Sequence, residues 1–130
     1  MPRPQSTLLT DREAEILTAL WDLKTATAEE IRQRLSGQPH DSTVRTLLRV
    51  LVSKGHVLVD NDSRPAAYKP RVKQNSVRKK AAHDIVKRFF GGSAEDLVLH
   101  LLEDKRLSLE QLEELERKHR NRPANKEPKQ

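Results

Sequence analysis

Three short helix-forming stretches, two of them opened by the same four-residue device, precede a pair of candidate strands. That order leaves few folds open. Thr10-Asp11-Arg12-Glu13 and Thr27-Ala28-Glu29-Glu30 are capping boxes: the threonine hydroxyl accepts an orphan N–H of the first turn, and the glutamate accepts the threonine N–H in return. Behind the first box, Ile16, Leu17, Leu20 and Trp21 recur at helical spacing; behind the second come Ile31 and Leu35, before Gly37 and Pro39 close the helix. A third helix, capped by Asp41 or Ser42, is expected to stop at Gly55, which can take the left-handed conformation that ends helices. Val57-Leu58-Val59, the turn-rich Asn61-Asp62-Ser63-Arg64-Pro65 and Ala66-Ala67-Tyr68-Lys69 read as a β-hairpin with a polar tip. Three helices and a hairpin predict a winged helix-turn-helix.

The third helix has two faces. Val44, Leu47, Leu48, Leu51 and Val52 form an apolar stripe that calls for a core, while Ser42, Arg45, Thr46 and Arg49 form a polar stripe with no carboxylate among them. A solvated face would satisfy such a stripe. At the N-terminal half of a recognition helix the same residue types suit a DNA groove, because arginine bonds guanine O6 and N7 bidentately and Ser or Thr contacts bases or phosphates. Arg64 and Lys69 on the hairpin would add phosphate contacts.

Past Pro70 the pattern is helical alone. Ser76 can start a helix through Val77, Ala81, Ile85 and Phe89 that stops at Gly91-Gly92. Ser93-Ala94-Glu95-Asp96 opens another, with Leu97, Val98, Leu101 and Leu102; Ser108-Leu109-Glu110-Gln111 opens a last one, with Leu107 and Leu112 at the positions of a hydrophobic staple. Residues 1–72 are therefore expected to form the winged helix, 73–120 a helical dimerisation region and 121–130 a disordered tail, the whole being mainly α. Leu97, Val98, Leu101, Leu102, Leu109, Leu112 and Leu115 are more apolar groups than so short a helical region hides by itself, which points to a second copy of the chain.

Charge sharpens the choice of partner. The formal net charge is +6, and residues 73–93 hold Lys73, Arg78, Lys79, Lys80, Lys87 and Arg88 against Asp84, whereas 94–120 hold eight acids against five bases. This balance favours a polyanion. The alternative is a winged-helix module that binds a protein partner, its basic surface being incidental. With no cysteine, disulfides, thiolate ligands and cysteine nucleophiles are excluded together. His40, His56, His83, His100 and His119 are scattered and predict no metal site; Gly91-Gly92 is a helix stop rather than a phosphate cradle. No enzyme activity and no cofactor are expected. "MPRPQSTLLT" lacks the apolar core of a signal peptide and no run reaches the ~18 apolar residues of a membrane span. A cytoplasmic protein without a membrane partner is the expectation.

"LTDREAEILTALWDLKTATAEEIRQRL", "STVRTLLRVLVSKGHV" and "FFGGSAEDLVLHLLEDKRLSLEQLEEL" together resemble the penicillinase repressor (BlaI/MecI) family of bacterial transcription factors, from about Leu8 to Leu115. The resemblance implies a homodimeric winged-helix repressor bound to a palindromic double-stranded operator. By position, Thr43, Arg45 and Thr46 match the base-facing segment of the family's recognition helix. It also implies a link to antibiotic response, with a membrane sensor protease triggering a cut in the dimerisation helices. The equivalent bond here joins His100 and Leu101, where the family pattern has Asn followed by Phe. Copper-responsive relatives carry a cysteine-rich tail, which this chain lacks.

Overall fold

The computed structural model describes residues 9–122. Six helices and three short strands follow one another as α1 (Asp11–Leu23), β1 (Ala26–Thr27), α2 (Ala28–Arg34), α3 (Asp41–Ser53), β2 (Val57–Asp60), β3 (Ala67–Pro70), α4 (Gln74–Phe89), α5 (Ala94–Glu103) and α6 (Leu109–Asn121). The chain divides into two compact units, one up to residue 82 and the other from residue 83. No helix among the described residues is long and apolar enough to cross a membrane.

In the first unit the caps set the helix starts. Thr10 accepts Glu13 N–H while Glu13 accepts Thr10 N–H, and Thr27 and Glu30 repeat the exchange at α2. Every such bond removes one of the unpaired donors that a helix start leaves behind. α3 begins earlier than its sequence suggested: its cap is His40, whose Nδ1 accepts Ser42 N–H at 3.1 Å, and not Asp41 or Ser42. At the other end Gly55 has φ 82°, His56 N–H reaches Leu51 O and Gly55 N–H reaches Val52 O. This is a Schellman stop, which residues other than glycine adopt at a cost.

Ile16, Leu17 and Leu20 of α1, Ile31 of α2, and Val44, Leu48 and Leu51 of α3 meet in one fully buried cluster with Val57 of β2. Leu47 and Val52 lie at its margin, half-buried. A fully buried aliphatic side chain of this size is worth about 1.5–3 kcal/mol. The strands form an antiparallel sheet in the order β1-β3-β2, with Val59 opposite Tyr68 and Ala26 opposite Tyr68 on its other edge. The hairpin was expected; β1 was not, and β3 starts at Ala67, one residue after the expected Ala66.

Two long-range polar contacts tie this unit together. Glu13, buried at 3 % exposure, bonds Lys54 Nζ at 3.1 Å through Oε2, and its other oxygen takes the Thr10 N–H. Trp21 Nε1 donates to Val72 O at 2.9 Å.

The later helices differ in kind. α4 starts at Gln74 rather than Ser76, and α4, α5 and α6 contain no buried residue. Gly91 and Gly92 follow one another at φ 57° and 88°, the succession that ends α4. α5 is capped by Ser93 and α6 by a reciprocal Ser108–Gln111 box. α6 continues through Asn121, so the first residue assigned to the tail is helical; residues 123–130 lie outside the described residues.

Candidate nucleic-acid interface

α3 carries the candidate interface because its buried and exposed rows are cleanly separated. Val44, Leu48 and Leu51 are buried, whereas Ser42, Thr43, Arg45, Thr46 and Arg49 are all exposed. Packing the first row against α1 and α2 turns the second outward, at the end of the helix where a groove would be read. The residues expected on this face therefore stand on one surface of one helix.

One further member of the site stands outside the polar stripe of the sequence. Asp41, in the first turn, accepts from Arg45 Nε at 2.9 Å, and that bond holds the Arg45 guanidinium above its usual pKa. Arg45 is charged under all ordinary conditions, so the effect of the pair is orientation: one edge of the fork is occupied and the other is free for an acceptor. The spacing, four residues along a helix, was visible in the sequence. The Arg49 side chain has no hydrogen bond or ion pair to another described residue. His40 Nδ1 also lies 2.9 Å from Ser42 Oγ, so the cap and the first polar residue of the row are coupled.

Arg64 and Lys69 are exposed, the first in the hairpin turn and the second on β3. The tip between β2 and Arg64 is acidic, with Asp60 Oδ1 taking the Asp62 N–H at 3.0 Å. Two carboxylates at the tip oppose a phosphate there, leaving Arg64 and Lys69 as the cationic points of the hairpin.

In the second unit the leucines lie at or near the surface. Leu97, Val98, Leu101, Leu102 and Leu112 are half-buried, and Leu109 and Leu115 are 70 % and 49 % exposed. Ile85, Phe89 and Leu99 are exposed with them. His100 is exposed on α5, its ring edge-on to Phe90 at 5.4 Å, and Leu101 is half-buried. The carbonyl of His100 accepts Asp104 N–H at 2.9 Å, and that of Leu101 accepts Arg106 N–H at 2.9 Å, so the bond between the two residues lies in a closed helical end.

A winged helix with an outward polar and cationic helix, followed by helices whose apolar side chains are half-buried or exposed, has the build of a DNA-binding regulator with a helical extension. No cluster of three or more His, Cys, Asp or Glu that could hold a metal occurs among the described residues. The chain belongs to the penicillinase repressor family, whose sequence model matches residues 9–120. This is a family of transcriptional repressors and not of enzymes. The penicillinase repressor of Bacillus licheniformis is 28 % identical over 119 residues, covering 88 % of this chain and 93 % of the relative. The methicillin resistance regulatory protein MecI of Staphylococcus aureus (strain N315) is also 28 % identical, over 109 residues, 82 % of this chain and 89 % of the relative. The penicillinase repressor of Staphylococcus aureus is 25 % identical over 105 residues, 79 % and 83 % of the two chains.

Proposed function

We propose that this protein represses transcription by occupying a palindromic operator as a homodimer, with α3 of each copy in a major groove. The observation that carries the reading is the exposed row of Ser42, Thr43, Arg45, Thr46 and Arg49 opposite a fully buried apolar row on the same helix. Arg45 and Arg49 supply donors for guanine or phosphate; Thr43, Thr46 and Ser42 supply short hydroxyls; Arg64 and Lys69 hold the flanking backbone. The half-buried and exposed leucines of α5 and α6 support the second copy, since two-fold symmetry in the protein matches two-fold symmetry in the site.

Release by proteolysis at His100-Leu101, through a sensor or releasing protease, completes the proposal. That bond lies next to the Schellman end of α5, where Arg106 N–H closes on Leu101 O. A protease needs extended chain, so the helix end must open first. Cutting there parts α6 from the rest and removes the link that makes two half-sites act as one.

The test is fragment selection from random duplex DNA, followed by titration across salt concentrations. A palindromic consensus and a linear fall of log affinity with log salt are expected. Absence of DNA binding at low salt, with the fold intact, refutes the proposal and leaves the protein-partner module.

A further inference from the structure

One cavity in the first unit belongs neither to the outward face of α3 nor to the leucines of the later helices. α1, the turn after α3, the segment after β3 and the first half of α4 enclose about 320 Å3. Its apolar wall comes chiefly from Leu9, Leu17, Val72, Val77 and Ala81. That volume is at the lower end of the range for small-molecule sites, about 300–1,000 Å3. It is roughly twice the ~150 Å3 apolar cavity that accepts benzene. A single ring with a short side chain fits.

The polar groups at the cavity select the charge of the occupant. His56, Ser76 and Lys80 line it, all three able to donate a hydrogen bond, and among the described residues no carboxylate does. Lys80 is exposed, and its side chain has no hydrogen bond or ion pair to another described residue. An ammonium group beside apolar walls calls for an acceptor that leads an apolar body, which is the chemistry of a carboxylate on a ring or branched chain. Residues 1–8, "MPRPQSTL", bring Arg3 and no acid. Their charge has the wrong sign for Lys80.

We propose that this cavity binds a compact apolar carboxylate, with the ring or branched chain against Leu17, Val72 and Val77 and the acid group at Lys80. The site touches both the turn that joins α3 to the hairpin, through His56, and the start of α4, through Ser76 and Val77. A ligand there bridges the elements on either side of the hairpin.

The experiment is calorimetric titration of the full-length protein with 3-phenylpropionate and with its neutral amide, 3-phenylpropanamide. Because heat is read and not DNA binding, the outcome is independent of the operator proposal. The acid is expected to saturate one site per chain and to bind about tenfold more tightly than the amide. Lys80→Gln should bring acid and amide together, and Ala81→Phe should abolish both by filling the cavity. Should Ala81→Phe fail to fold in a urea melt, Val77→Phe replaces it. Failure of the acid to saturate, equal affinity for acid and amide in the natural protein, or undiminished binding in a folded filled variant overturns the proposal. So does acid binding that appears only on dilution to monomer, which would put a second copy in the cavity.

Discussion

Replacing Lys54 by methionine strips a buried carboxylate of its cationic partner while keeping most of the volume. Glu13 is almost wholly enclosed, and its two oxygens are divided between the Thr10 N–H at 3.0 Å and Lys54 Nζ at 3.1 Å. Removing one member of a fully buried pair costs about 3–5 kcal/mol. Here the lysine side chain keeps 29 % exposure, so water reaches the orphaned oxygen in part, and the expected loss is about 1–3 kcal/mol. For a chain of 130 residues that corresponds to roughly 3–5 °C in Tm per kcal/mol. The assay is urea unfolding of both proteins at one fixed concentration, since a dimer's stability depends on it. The pH dependence supplies the sharper check. Burial pushes the Glu13 carboxyl up, but the Thr10 N–H and Lys54 outweigh it and hold it below its ordinary 4.5. A carboxyl depressed on folding stabilises above its unfolded pKa, and that contribution is lost as pH falls through the lower folded value. The gap between the two proteins should be full at pH 7 and close below about 4.5 as Glu13 takes a proton. A loss under about 0.5 kcal/mol at pH 7, or a gap independent of pH, refutes the reasoning.

Three further outcomes are expected. Asp41→Asn frees Arg45 and removes a negative charge from the face of α3, so affinity for scrambled DNA should rise more than affinity for a selected operator; a fluorescence titration on both DNAs measures the ratio. Leu112→Asp places a charge among the α5 and α6 leucines and should leave a monomer at micromolar concentration by light scattering, with the winged-helix circular dichroism retained. Glu29, bonded by two Arg32 nitrogens and by Gln33, has its carboxyl held down to about 2, so Glu29→Gln should lower stability slightly at pH 7, where solvent screens the exposed pair, and urea unfolding at successive pH values should show that gap closing between pH 4.5 and 2.

How far the fold was legible depended on the range of the signal. The boxes at Thr10, Thr27 and Ser108 read correctly because the donor, the acceptor and the spacing all lie within four residues. The stop at Gly55 is equally local. His40 was missed as a cap because an imidazole nitrogen does there what an aspartate or serine oxygen usually does. β1 is two residues long, too short for any alternation to show, and exists only because Tyr68 and Ala67 pair with it from across the sheet. The bond between Glu13 and Lys54 joins residues far apart in the chain, and no local pattern announces it. In the candidate interface, the outward row of α3 follows from periodicity alone. The part played by Asp41 was legible from its four-residue spacing to Arg45, but an aspartate in a first turn reads first as a cap.

The bond from Trp21 to the carbonyl of Val72 has an optical consequence. The chain contains a single tryptophan, so all indole emission comes from the one ring that anchors the stretch between β3 and α4. Half-buried and hydrogen-bonded there, the ring reports how well that junction is held, through its emission wavelength and its access to a quencher. A change elsewhere in the chain that loosens or tightens that anchor becomes visible in this signal. The protein thus carries an intrinsic fluorophore at the point where its winged helix passes into the helices that follow.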